Sequence, residues 1–340
     1  MYVTSSRSVA GILGHAARSG VDTSALAKAV GLAPSIAGEQ PWVATTQLLA
    51  LHEAAARASG DDAFGLHLAE AVTLEMLTGL GVGAARTVTV GEAIDRTTRL
   101  LRRWTNAAEV TVSLDGATAR VQYRLLEATP AVRHDAEATV AMFVVLARAA
   151  GLSRGIREVA FAHPRPERTR EHERVLGTAV RFQGQVNAVV FERECLDHPL
   201  VDARSASGAQ PLLPQALAQP LSLPPVTLPD RVRRAIAVAL GDGQVDLLGV
   251  ADGLATSGRT LQRRLAERDT SFEQLLDEVR HQLALVYLNA GGHRADELAA
   301  MLGFAERSPF HRAFRRWTGT TPGRYLAATS GLRPSALPGR

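Results

Sequence analysis

Between Arg294 and Leu326 the apolar positions fall into two helical registers separated by a glycine. Leu298, Ala299 and Leu302 share one face of a short helix, and Gly303 supplies the left-handed residue that closes it. Phe310, Phe314 and Trp317 then recur at i, i+4 and i+7, so one face is aromatic and buried. Arg307, Ser308, His311, Arg312, Arg315 and Arg316 fill the other face. A short helix, a tight turn and a second helix with an apolar back and a basic front is the pattern a helix-turn-helix needs. An ordinary amphipathic helix pair with a solvated basic face carries the same stripe.

The pattern recurs upstream. Ala251 and Leu254 fall on one helix, and Leu261 and Leu265 at i, i+4 on the next. Arg259, Thr260, Gln262, Arg263 and Arg268 belong to that second helix, so both front helices are basic. Between the two units, Phe272, Leu275, Leu276, Val279, Leu283 and Val286 line one face of a helix predicted over 272–289. At about 1.5 Å per residue it spans about 27 Å. Neighbouring major-groove faces on one side of B-DNA recur at about 34 Å, so such a spacer fits two readers on adjacent groove segments.

Residues 1 to about 105 have helical spacing over 8–19, 24–30, 45–58 and 63–71, with a Thr89-x-x-Glu92 capping box opening one more helix to Trp104. The period then becomes two. Val110, Val112 and Leu114 alternate, Asp115-Gly116 predicts a type I′ turn, and Ala119, Val121 and Tyr123 resume. A long apolar helix over 134–150, a strand over 158–162, a charged helix over 165–176 and a strand over 186–191 follow. Helices with a small antiparallel sheet predict an α+β N-terminal domain. Six prolines from Pro211 to Pro229 exclude continuous helix and predict a linker. The chain is therefore divided into an N-terminal domain over 1–201, a linker over 202–228, an all-α C-terminal domain over 229–328 and a tail over 329–340. Few contacts are expected across the linker, so residues 229–340 are expected to fold alone.

Composition adds modestly to this picture. The 340 residues are 46% hydrophobic and 21% charged, which suits globular cores, and the net charge is +4. That is compatible with nucleic acid without proving it. Lys28 is the only lysine, so the positive charge is almost all Arg. The lone Cys195 excludes an internal disulfide framework, and no segment is apolar over a bilayer's width. The expectation is a cytoplasmic protein with no membrane partner.

Gly303-Phe304, Ser308-x-Phe310-x-Arg312-x-Phe314 and Gly319-x-Thr321-Pro322-x-x-Tyr325, in a tandem pair of units, resemble the AraC/XylS transcription regulators. The N-terminal half resembles the sensor-type domain of one subgroup. That likeness rests on Gly79-Leu80-Gly81, Thr89-Val90-Gly91-Glu92-Ala93, Phe161-x-His163-Pro164-x-Pro166, Gly177, Val180-Arg181-Phe182 and Phe191. The resemblance implies a sequence-specific regulator, binding operator DNA and acting as a homodimer with RNA polymerase as a further partner. It places Arg259, Thr260, Gln262 and Arg263 toward the groove in the first unit, and Arg307, Ser308, His311 and Arg312 in the second. Arg315 and Arg316 suit phosphate or solvent. The Ala-, Leu- and Val-rich N-terminal core favours an apolar or amphipathic small effector. The alternative is a domain that only dimerises or docks a protein. Ala255, Ala305 and Leu326 depart from the family pattern, which leaves the first turn and the cap of the second reader in question.

Enzyme readings rest on less. Gly79-Leu80-Gly81-Val82-Gly83 lacks a preceding strand and G-x-G-x-x-G spacing, so no cofactor is expected. His134, Asp135 and Glu137 are the residues that could ligate a metal, and His163 with Cys195 those that could pair as nucleophile and base. Scattered histidines are more commonly surface or satisfied core residues, and the expectation is no metal and no catalysis.

Overall fold

The computed structural model describes residues 2–32, 41–79, 89–126, 132–149, 152, 154–199, 223–241, 243 and 245–332. The chain packs into two units. One combines 1–60, 126–130 and 224–340, and the other combines 61–125 with 131–223.

The first unit begins with β1 (Val3–Ser5), α1 (Ser6–Arg18), α2 (Thr23–Ala29), β2 (Trp42–Ala44) and α3 (Thr45–Ser59). β1 and β2 pair antiparallel, Val3 opposite Ala44. Three-residue strands are too short to show a period of two, and the sequence pattern did not reveal them. Asp22 caps α2 by accepting the Ala25 N–H. On α3, Leu49, Ala50, Leu51, Ala54, Ala55 and Ala58 are all fully buried, so apolar residues lie all round the helix and it is covered on more than one side. Gly60 ends it in the left-handed conformation, φ 69°.

The second unit follows as α4 (Phe64–Gly79), α5 (Val90–Trp104), β3 (Ala108–Asp115), β4 (Thr118–Leu125), α6 (Arg133–Ala149), β5 (Ile156–Ala160), α7 (Arg170–Leu176), β6 (Val180–Arg181) and β7 (Asn187–Glu192). Its five strands run in the order β3-β4-β7-β5-β6. Phe143, Val144, Ala141 and Leu146 of α6 join Val121, Val159, Val189 and Phe191 of the sheet in one core. The capping box at Thr89 and Glu92 forms as the sequence predicts.

Four details differ from expectation. Register places Asp115 opposite Thr118, so the loop is Gly116-Ala117, and Gly116 alone takes positive φ (54°). That matches a type II′ turn, whose first position needs glycine, rather than type I′. The β5–β6 pair is parallel, so the sheet is mixed. The charged helix begins at Arg170 rather than 165, because Pro164 and Pro166 hold their preceding residues extended. The helix after Ala63 continues to Gly79; the remainder of the Gly79–Gly83 motif lies outside the described residues.

The first unit resumes with α8 (Leu228–Gly241), α9 (Leu247–Gly253), α10 (Gly258–Ala266), α11 (Phe272–Ala290), α12 (Ala295–Met301), α13 (Arg307–Thr318) and α14 (Pro322–Ser330). The expected proline-rich segment lies mostly outside the described residues. The chain is mainly helical, with an α+β region and an all-helical C-terminal region. Packing divides it differently from a boundary at residue 201: α1, α2 and α3 join the C-terminal helices. The reason is visible on α11. Its N-terminal half is amphipathic, whereas residues 283–289 are buried without interruption and need partners on every side.

Candidate nucleic-acid interface

Each half of the C-terminal region contains a helix, a short turn and a front helix. α9 and α10 are separated by residues 254–257, and α12 and α13 by residues 302–306, one residue more. Capping fixes the starts. Asp246 accepts the Gly249 N–H at 2.8 Å, Ser257 the Thr260 N–H at 3.3 Å, and Ser271 the Gln274 N–H at 3.1 Å. Each satisfies an otherwise orphaned helix donor.

The backs of both front helices are core. Leu261, Leu265, Phe310 and Phe314 are completely buried, while Trp317, expected to be equally buried, is only partly so. Opposite them Arg259, Gln262 and Arg263 are exposed, as are Arg307, Ser308, Arg312, Arg315 and Arg316. Thr260 and His311 are half-buried. Thr260 shares a 2.9 Å hydrogen bond with the Ser257 cap. Arg263 pairs with Glu267 at 3.0 Å, and Arg307 Nε donates to His311 Nε2 at 3.2 Å. Burial and then the Arg307 charge push the His311 pKa below its ordinary value. Arg316 pairs with Asp277 of α11.

That last pair belongs to a clamp that sequence reasoning missed. Trp317 Nε1 donates to Asp277 Oδ2 at 2.8 Å, and the His281 ring stacks on the Trp317 ring at 5.2 Å. From the same helix Arg280 donates to the carbonyls of Leu302 (2.8 Å) and Gly303 (2.7 Å), and lies 4.4 Å above the Phe304 ring. α11 thus holds both the turn and the front helix of the second unit. The available signal was an Asp277, Arg280, His281 row at i, i+3 and i+4 on the polar side of an amphipathic helix.

The residues considered for metal or nucleophilic chemistry are distributed otherwise. Glu137 is wholly buried, with Arg133 Nε at 2.8 Å, His172 Nε2 at 2.6 Å and His163 Nε2 at 3.6 Å from Oε1, and His134 Nδ1 at 3.5 Å from Oε2. Burial alone would raise its pKa, but His134, His172 and Arg133 together hold it well below the carboxylate range. His163 Nδ1 donates to the Pro164 carbonyl at 2.9 Å, and its ring stacks on Phe161 at 5.0 Å. Burial lowers the His163 pKa. Asp135 instead accepts from Tyr123 Oη at 2.6 Å. Cys195 is buried with its thiol donating to the Arg154 carbonyl at 3.8 Å, whereas His163 is bonded to the Pro164 carbonyl. No group of three or more His, Cys, Asp or Glu among the described residues is arranged to hold a metal ion. His172 belongs to this cluster and nothing in the sequence pattern singled it out.

A domain described as the arabinose-binding domain of AraC transcription regulators matches residues 20–200, and a helix-turn-helix domain matches residues 250–328. The chain belongs to the AraC family: it is a DNA-binding transcriptional regulator with an N-terminal domain of the arabinose-binding type. Among relatives, the ornithine utilization regulator of Pseudomonas aeruginosa is 32% identical over 275 residues, covering 79% of this chain and 80% of that protein. The HTH-type transcriptional regulator VirS of Mycobacterium tuberculosis is 30% identical over 272 residues, covering 78% of each. Such relatives are named transcriptional regulators. No helix among the described residues is long and apolar enough to cross a membrane. The N-terminal family match, which starts at residue 20, spans parts of both packing units.

Proposed function

We propose that this regulator reads two adjacent major-groove segments, one with α10 and one with α13. The observation that carries this reading is the single helix α11, 19 residues long, to which the second reader is clamped by Asp277, Arg280 and His281. In this reading Arg259, Thr260, Gln262 and Arg263 face one segment. Arg307, Ser308, His311 and Arg312 face the next, and Arg315 and Arg316 approach phosphate. A groove-facing Arg is suited to bidentate contact with guanine. Function in the cytoplasm as a homodimer, with RNA polymerase as a further partner, belongs to the same proposal.

The N-terminal domain over 1–201 is assigned a small apolar or amphipathic effector, on the strength of its Ala-, Leu- and Val-rich core. The ornithine in one relative's name describes that protein, and VirS, of comparable identity, carries no such name. A docking or dimerisation role for this domain is favoured by one observation: β3 is an edge strand and exposes Val112 (45%) and Leu114 (53%). Selection of bound duplexes from genomic fragments tests the DNA reading; the expected product is a site longer than one helical turn, and a single short box would sink it. A thermal-shift screen of small molecules tests the effector, because a ligand of the native state raises Tm by mass action. No shift with any compound, together with concentration-dependent association lost on Leu114→Glu, favours docking instead.

A further inference from the structure

α3 ends at Gly60 and the chain passes directly into the second unit at Asp61, yet the side chains of α3 pack among the DNA-binding helices. Thr46 Oγ1 donates to Gln282 Oε1 of α11 at 3.0 Å. Eleven residues on, the Arg57 guanidinium donates to the carbonyls of Leu288, at 2.9 Å, and Asn289. These carbonyls lie in the last turn of α11, where backbone acceptors lack helical partners and a cation aligns with the helix dipole. From the other side Asn289 Nδ2 donates to Tyr325 Oη of α14 at 2.8 Å. Gly291 and Gly292 follow, both left-handed at φ 75° and 79°, and α12 starts at Ala295. A Cβ on Gly291 would sit 3.8 Å from Arg57 Nη2, whereas one on Gly292 would meet nothing within 4 Å. Two consecutive glycines, one of them in open space, make a permissive joint. Arg57 grips the chain just before it.

We propose that α3 is a working part of the DNA reader, with Arg57 as a positioning residue that fixes the exit of α11 and hence the spacing between the two recognition helices. This rests on the bipartite reading proposed above. Because α3 runs straight into the second unit, an event there that shifts α3 changes the spacing of the readers without any new contact to DNA. Two readers on one rigid spacer gain from linkage only when the geometry lets both engage.

The test uses full-length protein and a duplex recovered by selection from random-sequence DNA. That duplex is compared with versions gaining or losing one base pair between the two protected segments, and with one keeping only the α10 segment. Wild type should lose about tenfold or more in affinity when the spacing changes. Arg57→Ala should bind the original duplex about tenfold more weakly and distinguish the spacings by less than about threefold, with unchanged affinity for the single segment. A merely destabilised protein would weaken on every duplex alike. If the alanine variant does not fold, Arg57→Met keeps the stem, deletes the donors and undergoes the same measurements with the same expectation. A spacing profile for these variants identical to wild type overturns the role of Arg57 alone. Wild-type protein indifferent to spacing overturns the bipartite reading, and the proposal with it.

Discussion

In the first helix-turn-helix unit the front helix starts on Ser257, whose hydroxyl accepts the Thr260 N–H, and the turn passes through Ala255 at φ 53°. In the second the front helix starts on Glu306 with no side-chain cap, and the turn passes through Gly303 at φ 68°. The first therefore has a well-made helix start and a strained turn; the second has a relaxed turn and a bare start. The bare start coincides with tertiary support. Arg280 holds the carbonyls of the turn, and Asp277 and His281 hold Trp317. Local chemistry thus secures one reader and long-range clamping the other, and the two should fail differently.

The largest expected effect separates their cores. Phe310 is fully buried, within 5.9 Å of both the Phe304 and Phe314 rings. Phe310→Ala should cost about 3–5 kcal/mol through cavity formation, against about 2–5 for Leu261→Ala in the first unit. Chemical denaturation of the full-length protein measures both, and an unaltered transition for Phe310→Ala contradicts its placement in the core.

Arg263→Ala and Arg312→Ala come next, since both side chains are exposed and removal leaves the core intact. Each should cost about 1–3 kcal/mol of specific binding and relax preference at one base pair in its own segment. Quantitative binding to singly substituted operators measures this. Uniform weakening across all sequences instead assigns the residue to phosphate, and no change for either removes both from the reading set.

How much of this could be read from the chain depends on what kind of signal each residue leaves. Leu261, Leu265, Phe310 and Phe314 declare themselves by spacing, because burial of a helix face imposes a period. The basic fronts follow from the same period by exclusion. The departure at Ala255 was also legible as either a strained turn or one that is not left-handed, and its φ of 53° selects the strained one. Arg57 was not legible: an Arg one turn from the end of an Ala-rich helix resembles a solvated cap, and its partners lie 231 and 232 residues away. The placement of residues 1–60 was missed for the same reason. Their apolar pattern says that they pack, but only the all-round burial of 283–289 says where. It follows that residues 224–340 produced alone should expose the α3-facing side of α11 and melt less cooperatively than the fragment joined to 1–60.

The two turns give a reciprocal pair of smaller effects. A left-handed backbone costs an L-residue about 1–2 kcal/mol, so Ala255→Gly should stabilise, by about 0.5–1 kcal/mol after the greater freedom of glycine in the unfolded chain. Gly303→Ala should destabilise by more than the strain alone, because its Cβ would meet Leu240 Cδ2 at 3.0 Å and Arg280 Nη2 at 3.3 Å. Thermal melts of the two variants should move in opposite directions. Movement in the same direction would mean that the turns are not equivalent in backbone conformation.

The smallest expected effect is one of pH, and it belongs to the second reader alone. α13 carries His311, whereas α10, spanning Gly258–Ala266, carries no histidine. Burial and the neighbouring Arg307 hold His311 below its ordinary pKa, with Asp296 opposing, so the free protein keeps it neutral at pH 7. A phosphate brought close by binding favours the imidazolium, so affinity for the α13 segment should tighten by about threefold as the pH falls from about 7.5 to 5.5. The stability term runs the other way. A histidine with a depressed folded pKa contributes stability that is full above about 6.5 and is lost as the pH falls below it. Tighter binding at low pH therefore cannot be attributed to a firmer fold. Duplexes keeping one segment each, titrated at both pH values, separate the readers. The gain should appear only with the α13 segment and vanish in His311→Gln; an equal gain on the α10 segment would assign the pH dependence to another residue.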